Sequence, residues 1–267
     1  MKNKNHFLSV IIPIYKQENT IKKDLEFINE TLKQIRYDYE IIAVVDGTSI
    51  DNSFSEIKKL RLKNLKIFGY KNNHGKGYAV RYGMAKTKGD YIAFIDSGME
   101  IDPNGISLIL EHMEWYNADI IVGSKRHPAS MVNYPIDRKI ISFGAHLISR
   151  ILLGINIHDT QAGLKIFKRQ VLTKVLPRLI VKNYAFDLEI LSVANKLGFK
   201  KIYEAPIKLT YDFGSLTHAT GFKTIISCLI EAMAVFYRLR ILNYYDDKNK
   251  RKWIYDPELE MRINTGK

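Results

Sequence analysis

Between residues 7 and 123 the chain places five short apolar runs, at 7–14, 39–46, 65–69, 91–96 and 119–123, separated by segments of helical periodicity. Their nearly continuous Ile and Val content suits strands covered on both faces. The helical patterns fall at 20–36, 51–62, 76–86 and 103–117. In the last, Asp102 is placed to cap the helix and Pro103 to occupy its first turn. Ile106, Ile109, Leu110 and Met113 then mark one buried face. This alternation predicts an α/β fold: a mostly parallel sheet flanked by helices, with its ligand at the carboxyl ends of the strands.

The second half is patterned differently. Residues 139–154 read as a helix rich in Ile and Leu, 185–197 as another helix, and 201–209 as another strand. The stretch 221–245 mixes Phe222, Ile225, Leu229, Ile230, Met233 and Phe236 with Lys223, Arg238 and Arg240, and reads as an amphipathic, cationic C-terminal helix. A polar charged tail begins at Asp246. The 267 residues suffice for one large α/β domain or two small ones.

The formal net charge of +13 suggests a polyanionic partner: nucleic acid, an anionic membrane or phosphorylated substrates. A lysine-rich proteome is the plainer source of such an excess. Nucleic acid is not expected, because the basic residues are spread along the chain and no aromatic–basic recognition motif accompanies them. The single Cys228 excludes an internal disulfide framework and fits a reducing compartment. The N-terminal Lys2-Asn3-Lys4 precedes an apolar run that is short, contains Pro13 and lacks a small-residue cleavage site, so it reads as a strand and not a signal peptide. No stretch approaches ~20 uninterrupted apolar residues, so no spanning helix is expected.

The chemistry gathers around Asn72-Asn73-His74-Gly75-Lys76-Gly77 and, twelve residues later, Gly89-Asp90-Tyr91-Ile92-Ala93-Phe94-Ile95-Asp96. This is a Gly/Lys turn, a short helix, a buried strand and a carboxylate at the strand's exit. Such a carboxylate can hold a hard divalent cation, and the cation a diphosphate. Lys76, flanked by glycines, can approach that diphosphate closely. Asp46 ends the second strand, where it can bind a base or ribose or cap the next helix, and Asp159 lies in a loop. There is no Gly-x4-Gly-Lys-Ser/Thr, no Gly-x-Gly-x-x-Gly after the first strand, and no Cys/His spacing for zinc.

Val10-Ile11-Ile12-Pro13-Ile14-Tyr15, Val45-Asp46-Gly47-Thr48-Ser49-Ile50-Asp51 and the two Gly/Asp stretches resemble the inverting GT-A glycosyltransferases of family 2. Further on, Val122-Gly123-Ser124-Lys125, Asp137-Arg138-Lys139-Ile140-Ile141-Ser142, Asp159-Thr160-Gln161-Ala162-Gly163-Leu164-Lys165 and Ala185-Phe186-Asp187-Leu188-Glu189 resemble polyprenyl-phosphate sugar transferases. That group includes dolichyl-phosphate mannose synthases and glucosyltransferases. The Asp159 loop, and Gly214-Ser215 ahead of a basic helix, lean toward the glucosyltransferase branch.

The resemblance implies a Rossmann-like GT-A catalytic domain over 1–215, followed by a membrane-proximal amphipathic helix and polar tail over 216–267. It implies transfer of a hexose from a UDP- or GDP-sugar to a dolichyl or undecaprenyl phosphate at the cytoplasmic membrane face, with Mg²⁺ or Mn²⁺ as cofactor. Pro13, Tyr15, Glu18 and Asp46 would line the nucleoside pocket, Lys76 would lie near the diphosphate, and Asp96 would be the first Asp of the family's Asp-x-Asp. Lys125, Arg126, Arg138 and Ser142 would bind the acceptor phosphate. Two departures stand out. The second carboxylate of Asp-x-Asp is Gly98 here, leaving Glu100 as the further metal-ligand candidate, and Gly47 replaces the second Asp of Val-Asp-Asp-Gly-Ser.

A phosphate acceptor carries about −1.5 to −2 charge at pH 7, so it needs cations and no general base. A hydroxyl acceptor, as in polysaccharide synthesis, would need a base, and Asp159 would be the candidate. The helical stretches 139–157 and 222–245 are the expected interfacial segments.

Overall fold

The structure is a computed structural model that describes residues 6–132, 154–183, 185–209, 222–247 and 251–265. Strand β1 (Phe7–Ile14) pairs in parallel with β2 (Asp38–Asp46) on one side and with β4 (Tyr91–Ile95) on the other, and β3 (Leu65–Tyr70) lies parallel outside β2. From Leu8 onward β1 is buried on both faces, as is all of β4. Each buried Ile or Val contributes roughly 1.5–3 kcal/mol, which is why these runs tolerate no polar alternation. Helices α1 (Ile21–Leu32), α2 (Ser53–Lys58) and α3 (Lys76–Ala85) make the crossovers, and α4 (Gly105–Trp115) follows β4.

Several expected boundaries move: the helix expected at 51–62 is Ser53–Lys58, and the strand expected at 201–209 is Ile202–Pro206. Helix α1 stops at Leu32, where the chain tightens into turns from Thr31 to Gln34 and from Leu32 to Ile35. Helix α4 starts at Gly105 with Asn104 at its cap position, so Asp102 and Pro103 form a turn ahead of it. Asp102 still binds the Asn104 N–H at 3.0 Å.

The sheet then departs from simple alternation. Among the described residues its order is β3-β2-β1-β4-β6-β5-β7, with β5 (Ile120–Ser124), β6 (Leu164–Lys168) and β7 (Ile202–Pro206). Strand β6 lies between β4 and β5, antiparallel to both, while β5 and β7 are parallel. Sequence periodicity does not reveal β6, because Lys165 interrupts its apolar run. Helices α5 (Arg169–Val175) and α6 (Phe186–Lys196) follow it.

Helix α7 (Phe222–Phe236) runs on into a π-helical turn, Tyr237–Ile241. Ala232, Val235, Leu239 and Tyr245 join the same apolar core as the sheet. The segment after Asp246 is not only a polar tail: β8 (Lys252–Asp256) and β9 (Met261–Thr265) form an antiparallel hairpin. It docks on α3, where Tyr78 donates to Glu258 and Lys86 pairs with Glu260 at 2.6 Å. The helix expected at 139–154 falls almost wholly outside the described residues. No helix among the described residues is long and apolar enough to cross a membrane.

Candidate active site

Parallel strands bring their carboxyl ends to one edge, and β2 and β4 deliver Asp46 and Asp96 there. Asp46 is buried and fully engaged: it accepts from the N–H of His74 (2.7 Å), the N–H of Gly75 (2.9 Å) and Nδ2 of Asn73 (2.9 Å). A carboxylate with such donors fixes the loop that leads into α3. Gly75 takes φ +98°, a conformation that only glycine adopts cheaply, and a Cβ there would lie 2.4 Å from Oδ1 of Asn183. The loop therefore delivers Lys76 at the first position of α3, with Nζ 2.8 Å from Oδ2 of Asp96.

Asp96 is wedged. A Cβ at Gly163 would come within 2.1 Å of Asp96 Oδ2, so only glycine lets the 159–163 loop lie against this carboxylate. The backbone N–H of Asp96 donates to the Gly163 carbonyl at 3.0 Å. Oδ1 of Asp96 is buried with no hydrogen-bond partner, and so is Oε1 of Gln17 in the β1–α1 loop. Gln17 is packed beside Gly98, whose added Cβ would meet Nε2 of Gln17 at 3.8 Å and nothing closer. Lys16 and Met99, one on each loop, both hold φ +53°, a costly backbone state for residues with side chains and one that collects at functional sites. Unsatisfied hard oxygens of this kind fit a divalent cation. Among the described residues no group of three or more His, Cys, Asp or Glu could hold a metal ion by itself, so the fit is to a cation completed by phosphates and water.

On the other side of the edge, Asp159 is buried and caps the exit of β5. Its carboxylate accepts the N–H of Lys125 (2.9 Å) and of Gln161 (3.3 Å). Glu204 on β7 binds the Asp159 N–H (3.0 Å) and Nδ1 of His158 (2.7 Å). Burial pushes the Glu204 carboxyl up, but its bonds from Ser124, His158 and Asp159 outweigh that and hold it below its ordinary value.

Beneath both sides lies Lys165 of β6, with no solvent exposure. It donates to the Ala162 carbonyl (2.7 Å) and pairs with Asp187. Burial pulls its ammonium below the ordinary value. The Asp187 charge and bond oppose that, Lys76 lowers it further, and Asp159 raises it.

The expected site residues thus divide. Asp46, Lys76 and Asp96 form one bonded chain, joined by Pro13, whose carbonyl accepts the Ser97 hydroxyl at 2.7 Å. Tyr15 is exposed just beyond β1. Glu18 binds the Asn52 N–H (2.9 Å) ahead of α2. Glu100 is exposed two residues beyond Gly98. Lys125 and Arg126 follow β5, the Arg126 N–H donating to Ser124 Oγ at 3.2 Å. Arg138 and Ser142 lie outside the described residues. Sequence reasoning gave no role to Gln17, Lys165 or Glu204. A lysine alternating with apolar residues in Leu164-Lys165-Ile166-Phe167 was the available signal for a buried charge.

The chain is 31% identical over 225 residues to a dolichyl-phosphate beta-glucosyltransferase of Dictyostelium discoideum, covering 79% of this chain and 68% of that protein. It is 29% identical to dolichyl-phosphate beta-glucosyltransferase ALG5D of Trichomonas vaginalis, covering 91% and 77%. Among solved structures, mannosyl-3-phosphoglycerate synthase from Rubrobacter xylanophilus superposes with a TM-score of 0.67 at 13% identity, covering 97% of this chain and 86% of that one. Glucosyl-3-phosphoglycerate synthase from Mycobacterium tuberculosis, in complex with Mn²⁺, UDP and phosphoglyceric acid, gives 0.65 at 16%, covering 93% and 82%. These two establish the GT-A fold. The model of glycosyl transferase family 2 matches residues 9–176, from β1 through β6 and into α5, and the chain belongs to that family of glycosyltransferases.

Proposed function

We propose that this enzyme moves glucose from a nucleoside-diphosphate sugar to a polyprenyl phosphate, with inversion at the anomeric carbon. The likeness to dolichyl-phosphate beta-glucosyltransferases over most of the chain carries the reading. The UDP and Mn²⁺ complex of the M. tuberculosis fold neighbour supports UDP as the nucleotide and a divalent cation as the cofactor.

Asp96 and Glu100 would hold that cation, and Gln17, whose buried Oε1 has no partner and whose Nε2 lies nearest Gly98, would offer a neutral oxygen in place of the missing carboxylate. When bound, the cation neutralises the departing diphosphate. Lys76, beside Asp96, adds a second positive charge there. Helix α3 begins at Lys76 without a side-chain cap, and the partial positive charge of its N-terminus adds to that of Lys76. Tyr15, Pro13, Glu18 and Asp46 frame the nucleoside, Asp46 by fixing the turn. The acceptor phosphate is held by Lys125, Arg126, Arg138 and Ser142. One of its oxygens attacks the anomeric carbon as the bond to the diphosphate breaks, and nucleoside diphosphate leaves. No proton is removed from the nucleophile, so Asp159, committed to backbone N–H groups, shapes the loop and is not a base.

The lipid tail requires a membrane. Helix α7 and its π-turn turn Ile230, Met233, Tyr237 and Ile241 outward, with Arg240 also exposed. Such a face suits the headgroup region of the cytoplasmic leaflet, where each basic side chain adds about 1 kcal/mol. Purified protein with radiolabelled UDP-glucose, Mn²⁺ and polyprenyl phosphate in detergent should give a labelled product that partitions into organic solvent. Label that moves only onto water-soluble acceptors would overturn the lipid-phosphate reading.

A further inference from the structure

The turn that presents Lys76 does not stand alone. Residues 180–183 cross over it. The Lys182 carbonyl accepts the N–H of Tyr78 at 3.0 Å. A Cβ on Gly75 would meet the Lys182 carbonyl at 2.7 Å, and one on Gly77 would meet the Asn183 carbonyl at 2.8 Å and Phe186 at 2.5 Å. There is no slack between this crossing segment and the Gly75-Lys76-Gly77 turn, so displacing one displaces the other.

Two carboxylates hold the segment from opposite ends. Glu189 of α6, fully buried, accepts the N–H groups of Ile180 and Val181 and the Tyr245 hydroxyl at 2.7 Å. Glu231 of α7 takes the other end: Oε1 accepts Asn183 Nδ2 at 3.0 Å and Oε2 accepts the Ala185 N–H at 3.1 Å. Glu231 is half-buried, on the same helix whose opposite flank leaves Ile230 and Met233 in solvent. Its effect on Lys76 and Asp96 runs through Asn183, the crossing segment and the two glycines.

We propose that Glu231 is a positioning residue for the sugar-nucleotide donor: it couples the seating of α7 to the geometry of the Gly75-Lys76-Gly77 turn. The proposal rests on that turn being the diphosphate site, as argued above. A carboxylate satisfies both donors at once, whereas a carboxamide can accept through one oxygen only. The dependence is therefore specific to the donor. The acceptor groups Lys125 and Arg126 follow β5 instead, where their backbone N–H groups bond to Asp159 and Ser124.

Isothermal titration of UDP, in Mn²⁺, into wild type, Glu231→Gln and Asn183→Ala, together with steady-state kinetics, tests this. Losing one charge-assisted bond should weaken nucleotide affinity and raise the donor KM roughly tenfold in each variant, with the acceptor KM unchanged. Because both variants loosen the one Asn183–Glu231–Ala185 cluster, the double variant should fall short of the product of the two single effects. Asn183→Ala leaves α7 untouched, so it answers the question even if Glu231→Gln melts the helix. Unchanged UDP affinity in folded variants, or donor and acceptor KM rising together, would overturn the proposal. If wild type itself binds neither UDP nor GDP, the donor-site reading fails, and the proposal with it.

Discussion

The two sides of the strand edge, proposed above to take the sugar donor and the acceptor, are built on different terms. On the donor side, the parallel strands β1, β2 and β4 end together and their carboxylates bind the neighbouring loop directly, Asp46 through three donors on residues 73–75. On the acceptor side, Asp159 is held by a relay: Lys125 and Gln161 donate to it, and Glu204 of the edge strand β7 braces its backbone. The donor side is rigid because adjacent strand ends fix it. The acceptor side is rigid only as far as a chain of polar contacts is intact. Changes near β4 should therefore strike chemistry, and changes near β5 and β7 should strike loop order first.

The severest way to break the contrast is to remove the group common to both sides. Lys165→Met leaves Asp187 buried without its partner and should cost about 3–5 kcal/mol of stability by denaturant unfolding. Lys165→Met with Asp187→Leu should recover most of it. A single variant as stable as wild type would show that the buried Asp187 does not depend on its cationic partner.

Next is Asp96→Asn, which should lower kcat about 10²–10³-fold with the melting midpoint preserved, because it removes charge only where the transition state needs it. Arg138→Ala should raise the acceptor KM by a factor corresponding to about 1.5–3 kcal/mol while the donor KM stays fixed. If the donor KM moves instead, the two sides are not separable.

A gain is expected from Gly98→Asp. The space is open, with Gln17 Nε2 3.8 Å from the added Cβ, so the variant should fold normally and bind Mn²⁺ about tenfold tighter, as read by electron paramagnetic resonance. Gln17→Ala should weaken Mn²⁺ binding in the opposite sense.

The mildest effect is on pH. Glu204 has a folded value below its ordinary one, so its contribution is present above the unfolded value of about 4.3 and is lost as pH falls through the folded value. Hydrogen exchange at residues 158–161 should rise in that acid window before the β1–β4 core loosens, and Glu204→Gln should remove the dependence.

The donor side was readable in the sequence for a physical reason. Strands buried on both faces must be continuously apolar, and a carboxylate that ends such a run is conspicuous, as Asp46 and Asp96 are. Strand β6 was not readable, because its central Lys165 is paired with Asp187, twenty-two residues onward, and no local pattern announces that partner. The hairpin of β8 and β9 was hidden likewise. Lys252-Trp253-Ile254-Tyr255-Asp256 does carry aromatic and branched residues, but its charged ends and half-exposed faces read as a tail. Gln17 gave no signal at all, since its significance lies in a buried, unsatisfied oxygen on a side chain packed beside Gly98 and not in its spacing.

The position of β6 also limits how this enzyme can move. One five-residue strand is hydrogen-bonded to β4 on the donor side and to β5 on the acceptor side, so the two sides are joined by two ladders on a single strand. A sheet ladder can slip only in steps of two residues if the same faces stay buried, and such a step is about 7 Å, far beyond any productive adjustment. Closure of one lobe upon another about a hinge is therefore closed to this architecture. Water must be shut out, and product let go, by the loops above the strand ends, while the spacing between the two reactants is set once, during folding, by register.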